Sequence, residues 1–182
     1  MKIRSLLFPV VLLLFFSCHQ TEVMSDFDNK VDFTAYHSFS VCLDNFKIRS
    51  DKHPEYNNEK MKNYFKDAIE TEMKNYYVIN DASPELRVGL NIKIEDKKFT
   101  YRSCGSQDEY HLSPECRLKT FEYTEGTLVI YVADVTKNQV VWQASISGIT
   151  SEDLIENKKI IDRTVQSLFQ KFPLNKKTET AS

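Results

Sequence analysis

Glycine is scarce in this chain, and the scarcity excludes whole classes of chemistry. Gly89, Gly105, Gly126 and Gly148 are the only ones in 182 residues, and they lie far apart. A phosphate-cradling loop or a dinucleotide fingerprint needs several glycines within a few residues, so neither is present. No serine sits in a nucleophile elbow. Basic clusters are missing as well, since Lys97-Lys98, Lys158-Lys159 and Lys176-Lys177 are scattered pairs. Nucleic acid is held by clustered cations that displace counterions, so no nucleic-acid partner is expected. The apolar run Leu6–Phe16 is interrupted by Pro9. It falls short of the roughly 20 residues that a spanning helix needs.

That short run is still the most informative stretch. Lys2 and Arg4 precede it, and Ser17-Cys18 follows it. A charged start, a brief apolar core and a small residue before the cut read as a secretory signal over residues 1–17. The cysteine makes the stretch resemble the signals of bacterial lipoproteins, in which the thiol is diacylated and becomes the new N-terminus. Ser17 and Cys18 match that pattern, whereas Phe15 and Phe16 depart from its usual leucine and small residue. The alternative is plain secretion, with Cys18 an ordinary thiol. The expected organisation is a signal over 1–17, a lipidated tether over 18–25, one domain over 26–173 and a flexible polar tail over 174–182. A tether of that length reaches ~20–25 Å at full extension, close to a membrane surface. Removing residues 1–17 takes two of the 24 basic residues and no acidic one, which leaves 22 against 26, formally −4.

Export would place the remaining cysteines, Cys42, Cys104 and Cys116, where disulfides persist. Cys104 and Cys116 flank a polar loop and are the favoured pair, with pairings through Cys42 as alternatives. Closing so short a loop contributes on the order of 3 kcal/mol. A metal site at Cys104, His111 and Cys116 has none of the common zinc spacings. Asp26, Asp28 and Asp32 suggest a calcium loop, but glycine and glutamate are missing from the required places. Cys42 has no activating context for a Cys–His nucleophile. No cofactor, catalytic residue or metal ligand is expected.

Alternation marks the strands. Ser38 to Leu43 alternates, and Leu86–Glu95 places Leu86, Val88, Leu90, Ile92 and Ile94 on one side. Thr127–Asp134 and Gln139–Gly148 are two more strands joined by a polar turn, and Tyr77 to Ile79 adds a short one. Asn57 or Asn58 can cap a helix whose apolar positions run from Met61 to Tyr76. A second helix is expected from about Glu152 to Phe172, with Ser151 as its cap. If Cys104 faces Cys116, Val88 faces Val132, Leu90 faces Ile130 and Ile92 faces Leu128. The next hairpin then sets Val132 by Trp142, Ile130 by Ala144 and Leu128 by Ile146. One face of an antiparallel meander becomes continuously apolar, and a one-residue slip would turn it outward. The expected fold is an α+β two-layer sandwich: a mainly antiparallel sheet of this meander plus an N-terminal strand, covered on one face by two helices. Around Phe99, Tyr101, Phe121 and Tyr123 the apolar parity switches. Either a bulge re-aims these side chains, or the hairpin runs past the helices and buries its other face.

Asp32-Phe33-Thr34-Ala35-Tyr36-His37-Ser38-Phe39, the Gly126-Thr127-Leu128 strand ending at Asp134, Val141-Trp142 and Phe172-Pro173 together resemble domain-of-unknown-function family 4136, a group of bacterial envelope lipoproteins. The resemblance runs from about Asp26 to Pro173. Gln143-Ala144 departs from the Arg-Gly that often follows the tryptophan, and the Cys104–Cys116 hairpin has no counterpart in the pattern. The resemblance implies a lipid-anchored two-layer domain and carries over no catalytic or ligand residue.

The functional expectation is a non-enzymatic accessory module of the bacterial outer membrane, anchored by Cys18 and facing the periplasm, that docks on another envelope component. His19 stands where an aspartate would favour the inner membrane. The candidate docking surface is the sheet face of Val129, Tyr131, Val141 and Gln143. A second candidate is the aromatic hairpin of Phe99, Tyr101, Tyr110, Phe121 and Tyr123, for peptide or glycan contact. The alternatives are an envelope hydrolase with carboxylates assembled by the fold, and a purely structural component.

Overall fold

The long strands of this protein follow from strict period-two alternation. In a computed structural model that describes residues 22–43, 46, 48–50, 58–104, 116–150 and 157–174, that alternation resolves into one sheet. The strands are β1 Val23–Phe27, β2 Ser38–Val41, β3 Ile48–Arg49, β4 Val78–Ile79, β5 Leu86–Cys104, β6 Cys116–Asp134 and β7 Gln139–Thr150. Their order is β1-β7-β6-β5-β2-β4, with β3 also against β5. The four long-ladder strands pair antiparallel, while β2, β3 and β4 add short parallel pairings. The fold is α+β: a large open sheet on which two helices pack.

The β5–β6 ladder runs from Leu86↔Asp134 to Cys104↔Cys116 without a shift. Val88 faces Val132, Leu90 faces Ile130 and Ile92 faces Leu128, the register expected from the sequence. The β6–β7 pairs Val132↔Trp142, Ile130↔Ala144 and Leu128↔Ile146 also follow it. All of these side chains are buried.

Helix α1, Glu59–Met73, starts where the Asn58 Oδ1 accepts from the Met61 N–H at 2.9 Å. It buries Met61, Phe65, Ala68, Ile69 and Met73 at helical spacing. Helix α2, Lys158–Phe169, buries Ile161, Val165, Leu168 and Phe169, and packs against α1. Its start lies later than Glu152, because Asn157 caps it by accepting from the Lys159 N–H at 3.1 Å. The expected cap Ser151 lies outside the described residues.

Three further expectations change. Residues 23–25, read as tether, belong to β1, paired from Val23↔Ile146 to Phe27↔Trp142. This edge strand is exposed along Met24 to Phe27, so no apolar alternation announced it. Val141 is buried at 1% exposure, not displayed on the open face. The ladder shifts between Val132↔Trp142 and Ala133↔Val140, so Val141 is the extra residue of a bulge and turns toward the core beside Trp142. Past Glu95, neither explanation of the aromatic parity switch holds in full. No bulge interrupts the ladder, and the hairpin does run on, but Phe99, Tyr101, Phe121 and Tyr123 stay exposed.

Candidate functional site

Two regions merit a functional reading, and the first is an end of the sheet where distant segments meet. Asp32 caps a short 3-10 turn, Phe33–Ala35, and accepts from the Thr34 N–H at 2.9 Å. The turn drives Phe33 into the core and aims Tyr36 at the end of β6. There the Tyr36 hydroxyl donates to Asp134 Oδ2 at 2.8 Å. Asp134 is itself buried, and its Oδ1 accepts from the Lys137 N–H at 2.9 Å. The Lys137 ammonium lies 3.2 Å from the same carboxylate. Burial pushes the Asp134 carboxyl up, but the Lys137 backbone, the Tyr36 hydroxyl and the Lys137 charge together hold it below the ordinary aspartate range. The Tyr36 phenol is pushed up, first by burial and then by its bond to this carboxylate. A phenol locked in its neutral form is no general base at neutral pH.

Nearby, Glu85 Oε2 accepts from the His37 N–H at 2.7 Å, the Ser38 N–H at 3.0 Å and the Ser38 hydroxyl at 3.2 Å. These bonds, led by that from His37, hold Glu85 low. The carboxylate ties the start of β2 to the start of β5. Tyr77 donates to the Phe33 carbonyl at 2.9 Å, and Phe172 packs edge-on against Phe33, Tyr77 and Trp142. The Trp142 Nε1 donates to the Lys171 carbonyl at 3.3 Å. Among the described residues no buried side-chain polar atom lacks a partner, as a scaffold requires.

The second region is the sheet face opposite the helices. Val129 and Tyr131 are half-buried there, and Gln143 is exposed. Gly89 lies directly beneath the Tyr131 ring, and a Cβ on it would collide with that ring. The tyrosine covers bare backbone, as an aromatic does over a strand glycine. An open hollow of about 330 Å³ lies against β1, lined by Met24, Asp26, Val129, Gln143 and Ser145 among others. Asp26 is its one carboxylate, so it offers no acid–base pair. A smaller hollow of about 180 Å³ joins Cys42, Phe46, Arg87 and Tyr131, and no histidine lines it. Among the described residues no group of three or more His, Cys, Asp or Glu could hold a metal ion. No described helix is long and apolar enough to cross a membrane.

This face continues along β5 and β6 into a projecting arm. Phe99 stacks on Tyr101 with centroids 6.0 Å apart, and Phe121 on Tyr123 at 6.2 Å. Phe99 and Phe121 are paired across the strands and are 59% and 60% exposed. The reverse side is mostly polar, with Lys98 on Glu122, Thr100 on Thr120 and Thr124 on Asp96, and one exposed apolar residue, Leu118. Cys104 and Cys116 are the last opposed pair of the ladder. Cys18, His111 and Tyr110 lie outside the described residues.

The sequence profile described as "Domain of unknown function (DUF4136)" matches residues 23–174. The chain belongs to the DUF4136 family. Its fold is similar to that of a DUF4136 family protein from Bacteroides thetaiotaomicron, with a TM-score of 0.52 at 16% identity, covering 85% of this chain and 97% of that one. A PDZ domain protein from Parabacteroides distasonis is similar at a TM-score of 0.55 and 12% identity, over 85% of this chain. The match spans only 36% of that longer protein. No curated protein matches the chain. At these identities the likeness concerns fold alone.

The residues on which the chain's resemblance to the family rests include several with structural roles. Asp32, Phe33, Tyr36, Asp134, Trp142 and Phe172 converge on the one cluster described above. Sequence reasoning missed the Glu85 clamp, because its partners lie far back in the chain. The pairing of Gly89 with Tyr131 had one hint, an isolated glycine inside an alternating strand.

Proposed function

We propose that this DUF4136 chain is a lipid-anchored domain of the bacterial cell envelope, held by acylated Cys18, and that it works as a non-enzymatic docking module. The observation that carries the reading is the division of labour between the two sheet faces. Tyr36, Asp134 and Trp142 are spent on internal bonds, while Val129, Tyr131 and Gln143 stand on a face that no described element roofs, with shallow hollows. Such a face suits a broad contact better than a small substrate, which needs an enclosing pocket with converging polar groups. The similar fold within a longer P. distasonis PDZ domain protein supports a modular use. The proposed setting is the outer membrane, on the periplasmic side, with no cofactor. We also propose a Cys104–Cys116 disulfide, supported by their direct opposition at the end of the ladder.

The test has two parts. Mass analysis of protein from the membrane fraction should find a diacylglyceryl adduct on Cys18, and Cys18→Ser should release the chain into the soluble fraction. A photocrosslinker at Gln143 should capture a defined partner in intact cells, whereas one at exposed Lys159 on α2 should not. Equal, diffuse crosslinking from both positions would refute the docking reading.

A further inference from the structure

We propose that the aromatic side of the projecting β5–β6 arm rests on the lipid surface that carries the anchor, and that an anionic bilayer interface is its partner. The inference rests on acylation of Cys18 and names the partner for one end of the open face.

Direction comes first. β1 runs from Val23, level with Ile146, Leu128 and Ile92, to Phe27, level with Trp142. β5 runs the opposite way, from Leu86 up to Cys104. The chain ahead of Val23 therefore enters at the end of the sheet from which the arm projects. β7 accompanies β6 only as far as Glu125↔Thr150. From Asp96↔Thr124 to Cys104↔Cys116 the two strands continue with no other described strand beside them for about 30 Å, at ~3.3 Å per residue.

Length then decides. Cys18 to Val23 spans at most ~18 Å when fully stretched. Measured along the sheet from Ile92, that ends near the level of Lys97. Phe99, Phe121 and Tyr101 lie farther out, and the end of the arm lies about 40 Å beyond Val23's level. An anchor this short cannot hold the arm clear of the bilayer with the arm pointing at it. With that end of the sheet toward the bilayer, the arm lies along the surface or dips into it.

Chemistry selects the side. Past the Glu95–Glu125 rung, the described charged residues on the aromatic face are Lys97, Arg117 and Lys119, all basic, with the Lys97 ammonium 3.3 Å from Glu95. Among the described residues of the arm the acidic ones, Asp96 and Glu122, are on the reverse side, where Lys98 and Arg102 balance them. A basic face on a chain of net negative charge is matched to anionic headgroups. Tyrosine belongs at the headgroup boundary, where its apolar ring and polar tip are both satisfied, and phenylalanine buries its ring on the acyl side of it.

The experiment uses the full acylated chain reconstituted in vesicles of phosphatidylethanolamine and phosphatidylglycerol brominated near the chain carbonyls. Phe121→Trp reports the aromatic side and Thr120→Trp the polar side, and the buried Trp142 supplies a constant background. The Phe121→Trp signal should lose about half its intensity and shift to the blue, since interfacial side chains sit ~5–10 Å into the boundary, while Thr120→Trp stays unquenched. Acylated, vesicle-bound protein with neither reporter quenched would overturn the arm proposal and leave the anchor standing. Recovery of the native chain from cells without any acyl adduct on Cys18 would overturn both. Protection of Phe121→Trp by a soluble glycan, or by self-association without lipid, would also overturn it.

Discussion

Asp134 shows how one side chain ties the motif segments together. It receives the Tyr36 hydroxyl, the Lys137 N–H and the Lys137 ammonium at the end of β6. Because its carboxyl is held below the usual range in the fold, the unfolded chain binds the proton more readily. Its contribution is therefore complete above about pH 4 and is lost as pH falls through the folded value. Asp134→Asn is expected to lower the urea midpoint at pH 7 and to flatten its decline between pH 4 and 2.5; an unaltered acid profile would refute the role. Tyr36→Phe leaves a buried acceptor short of one donor and should cost about 1–3 kcal/mol in the same titration. At Gly89, alanine must displace the Tyr131 ring and should destabilise by roughly 1–3 kcal/mol. The loss should shrink in a Tyr131→Ala background. Additive effects in that double-mutant cycle would show that the ring does not cover the glycine.

Elements show why some of this structure was legible in the sequence and some was not. The β5–β6–β7 register could be read because each strand has one apolar parity, and a slip would expose the whole set. The bulge at Val141 was invisible, since its sequence, Val140-Val141-Trp142, offers apolar residues at both parities. β1 was missed because an exposed edge strand needs only backbone partners. The arm exposed the limit of the parity rule: its alternation is as regular as the core's, yet no described layer covers it. Helix α2 matched its apolar stripe but not its start, which depends on Asn157. Phe169 packs on Trp142 at 5.3 Å and on Phe172 at 5.9 Å, so Phe169→Ala should cost about 3–5 kcal/mol, read as a lowered Tm. For the arm, reduction of the proposed Cys104–Cys116 bridge is expected to speed trypsin cleavage at Arg102 and Lys119 while leaving the near-ultraviolet signal of Trp142 intact. Identical cleavage before and after reduction would rule the bridge out.

Across the whole molecule, the helices roof one face of the sheet, the other stays open, and the incoming chain and the arm share one end. The two-layer plan was accessible from pattern alone, because two amphipathic helices and one apolar sheet face have few ways to bury each other. The common end was not, since it depends on the edge placement of β1. The antiparallel pairing of β1 with β7 has a mechanical consequence. Tension entering ahead of Val23 pulls along the strand axis, so the rungs from Val23↔Ile146 to Phe27↔Trp142 are loaded together in shear rather than peeled one at a time. Pulled from that side, the domain should yield in a single abrupt rupture, and it should give way at much lower force when the same strand is drawn sideways from Phe27.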